Sequence, residues 1–492
     1  MDAAIFKAHD IRFARELLDA ETKNRLACAV AEYFAQDCGA QTVVLGRDAR
    51  LGGEGLLSVL QNEMQAAGMD VLIHEEPIGT CHFYYSCMQH PHSCGVMVTA
   101  SHNPGSYLGM KIVGKDLLPI SMGSGPNGGL KRIQQLFEGE TTLYPVCPRG
   151  RREKLEDLAS FTEYSLHLAG LGKNSLFGMH VACDFLHGSN ASAVLDALTQ
   201  AGVSYEVLHQ TPDGSFPAGD PNPGIAKSMQ DAHDYLKTHP HPLLFAYDGD
   251  GDRMDLLYEG RQLPPSCVLW AISDALQHLQ TFSSNPRYLL DVKASPVVLH
   301  AMQQEGKKVA LIRNGHSVIK ARLHTSGTYF CAAEESAHYY YQFPQAGGGF
   351  IPSENTIFFT LMVLKTYQNN PQRFFQARAL ADSFFRQREW AVTIKDAQQR
   401  SHFLNQVRQA MESMHAEIIT EDADGFSYGA LLYRHGIHAD LSLESQWFQV
   451  FQRISESEDS LVRFEVIAAN QSLGLQVTAS ILEIQEQISQ TT

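Results

Sequence analysis

Leu243-Leu244-Phe245-Ala246-Tyr247-Asp248-Gly249-Asp250-Gly251-Asp252-Arg253-Met254-Asp255-Leu256-Leu257-Tyr258 sets three carboxylates, alternating with glycines, between two apolar runs. Both runs are short and bounded by the turn, so the stretch reads as strand, turn, strand. Hard divalent cations take oxygen ligands, and the glycines let the backbone fold until the three carboxylates face one ion, with positions left for a substrate oxygen. An ordinary acidic turn carries one or two Asp beside a Gly, not a regular triplet. A helix-loop-helix calcium loop is the sharper rival, because Asp248, Asp250 and Asp252 fall at its first, third and fifth places and Glu259 at its twelfth. It fails at the sixth place, where the sharp turn calls for Gly and this chain has Arg253, and at the strand-like flanks.

Outward from this turn, strand-like runs alternate with helical stretches. Residues 42–45 read as a strand after a helix over 21–36, and 179–183 as a strand ahead of a helix over 192–201. Residues 288–292 and 308–312 read as two strands separated by a helix over 296–304. Such alternation predicts layered α/β domains with mixed or parallel sheets. The length of 492 residues suits about three or four domains, and 44% hydrophobic content supplies their cores. Polar Gln368-Asn369-Asn370-Pro371 marks a linker before the last domain, and a second boundary falls near residues 148–154, where Arg149, Arg151, Arg152 and Lys154 read as a solvated linker. No internal repeat emerges by matching residues.

A second chemical signal is Val98-Thr99-Ala100-Ser101-His102-Asn103-Pro104-Gly105. The run Gly95-Val96-Met97-Val98-Thr99 predicts a strand and Asn103-Pro104-Gly105 a turn, which leaves the Ser101 hydroxyl at the junction. Serine attacks only with help from a base, a metal or a pocket of donors. His102 and Lys111 are close in sequence.

A net charge of −16 argues against binding to nucleic acid, which rests on Lys and Arg neutralising phosphates. An acidic chain that binds an anionic substrate must instead gather its arginines locally. Nine cysteines without a Cys-x-x-Cys pair fit reduced thiols and a cytoplasmic location. The first twenty residues lack the apolar core of a signal peptide, and no apolar run is long enough to span a membrane.

Taken in order, these motifs resemble the α-D-phosphohexomutases, in particular the bacterial phosphomannomutase and phosphoglucomutase branch. Ile5-Phe6-Lys7-Ala8-His9-Asp10-Ile11-Arg12 is similar to the family's opening signature, and Val44-Leu45-Gly46-Arg47-Asp48-Ala49-Arg50 to its first core strand and turn. Residues 99–104 with Tyr107, Gly109 and Lys111 resemble the phosphoserine loop. Pro212-Asp213-Gly214-Ser215-Phe216-Pro217 with Pro221-Asn222-Pro223 precedes the metal loop, and Gly315-His316-Ser317-Val318-Ile319-Lys320 and Glu334-Glu335-Ser336-Ala337-His338 follow it.

The resemblance implies three similar α/β units, a smaller α+β fourth domain and a central cleft. Combined with the boundaries above, the expected domains are 1–148 with the phosphoserine loop, 149–256 with the metal loop, 257–369 with the sugar-binding loop and 370–492 with a phosphate-binding loop. It implies a mutase that interconverts mannose 6-phosphate and mannose 1-phosphate through phosphorylated Ser101 and a hexose 1,6-bisphosphate. Mg2+ would be held by Asp248, Asp250, Asp252 and the phosphorylated Ser101. Lys111 would serve as general base or acid, its pKa depressed by burial and by two nearby arginines. Arg12 and Arg253 would neutralise charge, and His316 and His338 would assist proton transfer or contact phosphate. Lys293, Glu334 and Ser336 would bind substrate, with Arg453, Ser455 and Ser457 on the phosphate that is not reacting. The expected partner is the hexose phosphate, and the expected assembly a monomer or homodimer.

The chain departs from the family pattern in places. Asp459 stands where the phosphate loop has Pro, and Arg463 sits one residue late. His9, Phe13 and Leu108 replace Tyr, Gly and Asn, and Leu108 removes an amide from the nucleophile loop. Ala333 and Ala337 replace glycines, and an acidic turn expected after His338 is replaced by Gly347-Gly348-Gly349-Phe350-Ile351-Pro352. Alternative readings are a phosphoglucomutase, a dual-specificity mutase, or a divergent phosphosugar-binding protein with little turnover.

Overall fold

The computed structural model describes residues 3–139, 148–345, 348–422, 424–454 and 460–490. Strand-like runs named above become strands within two residues of the expected bounds. The first sheet contains β1 (Ile11–Ala14), β2 (Thr42–Arg47), β3 (Asp70–Ile73), β4 (Cys94–Val98), β5 (Tyr107–Val113) and β6 (Arg152–Lys154) in the order β1-β5-β4-β2-β3-β6. The second contains β7 (His180–Asp184), β8 (Ser204–Leu208), β9 (Leu243–Tyr247), β10 (Met254–Tyr258) and β11 (Arg261–Gln262), ordered β11-β10-β9-β7-β8. The third contains β12 (Arg287–Asp291), β13 (Lys308–Ile312), β14 (Tyr329–Ala333), β15 (Tyr339–Pro344) and β16 (Phe350–Glu354), ordered β13-β12-β14-β15-β16. In the fourth, β17 (Phe385–Thr393), β18 (Glu417–Glu421), β19 (Ser427–Ile437), β20 (Leu443–Ile454) and β21 (Leu461–Ala468) run β17-β21-β20-β19-β18, every neighbouring pair antiparallel.

The first three sheets share one plan. Within each, the unit's second, first and third strands are parallel neighbours, joined by helical crossovers, and the fourth turns back antiparallel on the third. In the first unit β2, β3, β4 and β5 fill these places, and β1 takes the outer position against β5. A repeat therefore exists in topology although residue matching misses it. The helix Pro296–Gln304 shows how local chemistry sets a crossover: the Ser295 hydroxyl accepts the Val297 N–H and Pro296 occupies the first helical place.

Three expected boundaries move. Residues 152–154 are not a linker; they pair with β3 as the edge strand of the first sheet, with all three residues exposed. Charged residues suit a solvated sheet edge, which is why the basic run looked like loose chain. A cut at 256 would split β10 and remove β11 from the sheet it completes. The polar break at Asn370 ends one helix, but the next, Gln372–Asp382, buries Phe374, Ala377 and Ala381 in the large core beneath the second and third units. The fourth sheet begins only at Phe385.

Candidate active site

The turn between third and fourth strands of each unit opens into one cleft of about 590 Å³. It is lined by Lys7, Arg12, Lys111, Arg253, Lys293, Arg453 and Arg463 against Asp10, Glu334 and Glu389. An acidic chain thus gathers its cations at one place, as binding an anion requires.

The turn from β4 to β5 carries Ser101, 2% exposed, in a left-handed conformation at φ 53. That backbone costs a non-glycine residue about 1–2 kcal/mol, so surrounding contacts must hold it. The Ser101 N–H donates to Thr99 Oγ1 at 2.9 Å, and the Thr99 hydroxyl donates to Asp48 Oδ2 at 2.6 Å. Arg50, fully buried, wraps the outside of the loop. Its Nη2 donates to the carbonyls of Ser101 and Asn103 at 2.6 Å, its Nη1 to those of Pro104 and Tyr107 at 2.8 and 3.1 Å, and its Nε to Asp48 Oδ2 at 3.1 Å. Burial pushes the Asp48 carboxyl up to about 6 against the pull of Arg50.

From the β9–β10 turn come Asp248, Asp250 and Asp252, whose ligand oxygens lie within 4.8 Å of one another. The Ser101 hydroxyl is 3.4 Å from Asp248 Oδ2 and 3.2 Å from His102 Nδ1. Asp250 Oδ1 and Asp252 Oδ1 are buried without a hydrogen-bond partner. Burial and the two neighbouring carboxylates hold the Asp248 carboxyl well above its usual range. Three buried carboxylates, two of them with an orphaned oxygen, fit a hard divalent cation, which would relieve both penalties. Thr80 pins this turn from outside, its hydroxyl donating to Asp250 Oδ2 at 2.6 Å and its N–H to the Asp250 carbonyl at 2.7 Å.

Lys111 reverses one expectation. Burial lowers its pKa, but Asp250, 2.7 Å away, and Asp252 outweigh that term and hold it well above the ordinary lysine value. Neighbouring carboxylates, not arginines, dominate its field. Arg12 donates to Asp10 Oδ2 at 2.7 and 2.8 Å and to Asn103 Oδ1 at 2.7 Å, which ties β1 to the Ser101 loop. Arg253 donates to His338 Nε2 at 3.1 Å and lies 3.6 Å from Asp248 Oδ2. His316 and His338 are both held well below the usual imidazole range, first by burial and then by His9 and Arg253 respectively.

The β14–β15 turn brings Glu334 and Ser336 to the cleft. Glu334 Oε1 accepts the Gly315 N–H at 2.8 Å and Oε2 the Tyr340 hydroxyl at 2.5 Å, while burial, then Asp291, pushes its carboxyl up to about 7. Lys293 is buried 3.5 Å from Glu389 Oε2. Arg453 on β20 donates to Asn314 Oδ1 at 2.9 Å, and Arg463, its cross-strand partner on β21, donates to Glu389 Oε1 at 2.8 Å. Ser455, Ser457 and Asp459 lie outside the described residues.

A phosphomannomutase of Salmonella typhimurium is 30% identical over 358 residues, covering 70% of this chain and 75% of that protein. The chain belongs to the α-D-phosphohexomutase family. Models of phosphoglucomutase/phosphomannomutase α/β/α domains I and II match residues 3–124 and 160–260. A phosphoglucomutase/phosphomannomutase family protein of Burkholderia thailandensis shares the fold at 19% identity, with a TM-score of 0.78 over 99% of this chain and 98% of that one. Parafusin, a phosphoglucomutase of Paramecium, shares it at 15% identity, with a TM-score of 0.70 over 99% and 95%.

Against the phosphohexomutase pattern, the departures acquire physical reasons. Phe13 and Leu108 are cross-strand partners on β1 and β5 and bury together in the first core, so the two changes form one apolar pair behind the loop. His9 Nδ1 meets Ser317 Oγ at 2.6 Å, across the first and third units. Ala337 sits at φ 71, a conformation that explains why the family favours glycine there. Glu354 lies at the end of β16, where it clusters with Asp252 and His338 and pairs with Lys320 at 2.5 Å. Sequence reasoning missed Arg50, Thr80, Glu354 and Glu389 as parts of the site. Arg50 stood inside a quoted motif, and only its position two residues after the strand-end Asp48 hinted at a role.

Proposed function

We propose that the chain is a phosphoserine mutase that interconverts mannose 6-phosphate and mannose 1-phosphate. The observation that carries this reading is the Ser101 hydroxyl 3.4 Å from the Asp248 carboxylate, in a cleft rich in arginine and lysine. Phosphoryl transfer asks the protein mainly for in-line positioning and neutralisation of the transferring charge. Phosphorylated Ser101 gives its phosphoryl group to a free hydroxyl of the hexose monophosphate: the Ser101 O–P bond breaks, a sugar O–P bond forms, and Lys111 gives a proton to the departing Ser101 oxygen and regains one from the sugar hydroxyl. The bisphosphate turns over in the cleft and returns its other phosphoryl group to Ser101, releasing the isomer.

Lys111, as an ammonium, is suited to protonate the departing Ser101 oxygen. Arg12 and Arg253 face the transferring group, and neutral His316 and His338 serve as hydrogen-bond partners for sugar hydroxyls or phosphate. Glu334 and Ser336 accept from and donate to adjacent sugar hydroxyls, while Lys293, Arg453 and Arg463 hold the other phosphate. Asp248, Asp250 and Asp252, with an oxygen of the phosphorylated Ser101, would hold Mg2+. When bound, the ion neutralises charge on the phosphoryl oxygens.

Intact-mass analysis after incubation with hexose 1,6-bisphosphate and Mg2+ tests the reading. One added phosphoryl group localised to Ser101 is expected, and its absence would favour a phosphosugar-binding protein. Ser101→Ala should abolish turnover while leaving the fold intact. Coupled assays with mannose, glucose, glucosamine and N-acetylglucosamine phosphates rank the substrates, since epimers differ by a single hydroxyl contact.

A further inference from the structure

Away from the cleft, two histidines and an aspartate meet where the first unit joins the second. His74 follows β3, His82 lies in the first turn of the helix Thr80–Gln89, and Asp157 directly precedes the helix Leu158–Leu168. Both histidines are buried, whereas the Asp157 side chain keeps 18% of its surface. His82 Nε2 is 2.7 Å and His74 Nε2 3.8 Å from the same oxygen, Asp157 Oδ1, and the three ligand atoms lie within 4.8 Å of one another. The Ser86 hydroxyl completes the group, 2.8 Å from both His74 Nε2 and Asp157 Oδ2.

We propose that His74, His82 and Asp157 form a site for a transition-metal ion of the Zn2+ class, with the fourth position left to water or to Ser86. Two imidazoles and one carboxylate are a donor set for such ions and a poor one for Mg2+ or Ca2+. A tetrahedral ion about 2.1 Å from each ligand needs ligand atoms about 3.4 Å apart, and the observed 2.7 and 3.8 Å bracket that spacing. At 3.8 Å, His74 Nε2 is too far from the Asp157 carboxylate to hydrogen-bond it directly, and the Ser86 hydroxyl links the two.

The Asp157 carboxylate is not spent on capping its helix, and its exposed edge gives the ion a way in. Bound there, the ion would clamp the end of β3 to the helices that open at Thr80 and Leu158. Thr80 holds Asp250, so the clamp would fix the unit carrying Ser101 against the unit carrying the carboxylates.

The test titrates the full chain, stripped by chelator, with Co2+, whose four-coordinate complexes absorb strongly in the visible. One absorbing equivalent is expected, displaced by Zn2+, retained in Asp248→Asn and weakened at least about tenfold in His74→Gln and in His82→Gln. Zn2+ should also raise the wild-type melting temperature and fail to raise that of either histidine variant. Asp157→Asn, at a partly exposed position, gives a further arm if the buried variants misfold, and it too should lose the absorption. Two outcomes overturn the proposal: no Co2+ uptake by the wild type, which leaves a hydrogen-bonded network only, or uptake abolished by Asp248→Asn and unchanged in Asp157→Asn. The readout is metal occupancy, so failure here leaves the mutase reading untouched.

Discussion

Arg50 uses five hydrogen bonds on one loop and its supporting aspartate, which makes it the residue on which the Ser101 conformation depends. A lysine in its place could satisfy one or two of those acceptors, and the remaining carbonyls would stay buried and unpaired. Arg50→Lys should therefore lower stability by about 3 kcal/mol and reduce kcat more than it raises KM, because Ser101 would leave its strained geometry. Thermal melting and steady-state kinetics check both, and an unchanged melting temperature would assign the loop to other contacts. Glu334 gives a pH signature. Burial pushes its carboxyl up to about 7, so on the proposed reading it would accept from sugar hydroxyls above that pH, and below it a proton would occupy one of the acceptor sites. The kcat/KM of the wild type should fall as pH drops through about 7, while Glu334→Gln should be slower but flat across that range. A wild-type slope retained in the variant would place the titration elsewhere, for instance on the substrate phosphate.

At the scale of elements, the end of each unit's first strand carries a buried aspartate that turns back on the chain two residues ahead. Asp48 accepts the Arg50 N–H at 2.9 Å, Asp184 the Leu186 N–H at 3.0 Å and Asp291 the Lys293 N–H at 2.6 Å. Two of them also reach the neighbouring turn that bears site residues: Asp48 takes the Thr99 hydroxyl and Asp291 the Glu335 N–H at 2.8 Å. Asp291→Ala should leave the Lys293 and Glu335 amides without their acceptor and loosen the sugar loop. A KM raised at least about tenfold is expected, with phosphorylation of Ser101 unaffected; an unchanged KM would show that the loop is set from the fourth domain instead. This geometry explains what the sequence made legible. The Asp248 triplet and the Ser101 turn are local, with strand, turn residue and functional group contiguous, so periodicity and turn chemistry exposed them. The strand-end aspartates repeat only as a single residue followed by a variable turn, which residue matching cannot detect. Glu389 enters the cleft where β17 slips register between Gln387 and Trp390, and no residue type in that run announces an irregularity. Glu354 was hidden because it stands at a strand end after the glycines.

For the whole molecule, the question is what keeps the fourth domain over the cleft. Its sheet is antiparallel and has its own core, so it could detach from the other three as a body. Arg386, at the start of β17, spans the junction: it donates to Glu335 Oε2 at 2.6 Å and to the Lys293 carbonyl, and its Nε lies 2.9 Å from Glu465 Oε1 within the fourth sheet. Burial alone would disfavour its charge, yet Glu335 and Glu465 more than compensate and raise its pKa. Gln449 adds a bond at 3.2 Å to the Val292 carbonyl. Removing the guanidinium leaves two buried carboxylates without their main partner, a loss of about 3–5 kcal/mol at this junction. Arg386→Met should therefore release the fourth domain, and with it Arg453 and Arg463, from the substrate. The expected result is a KM raised at least about tenfold, a larger radius of gyration by small-angle scattering and faster proteolysis just before β17, while Ser101 is still phosphorylated by the bisphosphate. Arg453→Ala, which would remove one proposed phosphate contact and leave the junction intact, should raise KM without changing either the radius or the proteolysis. If both variants behave alike in all three measurements, the junction is not held by Arg386, and the other contacts between the third and fourth domains carry it.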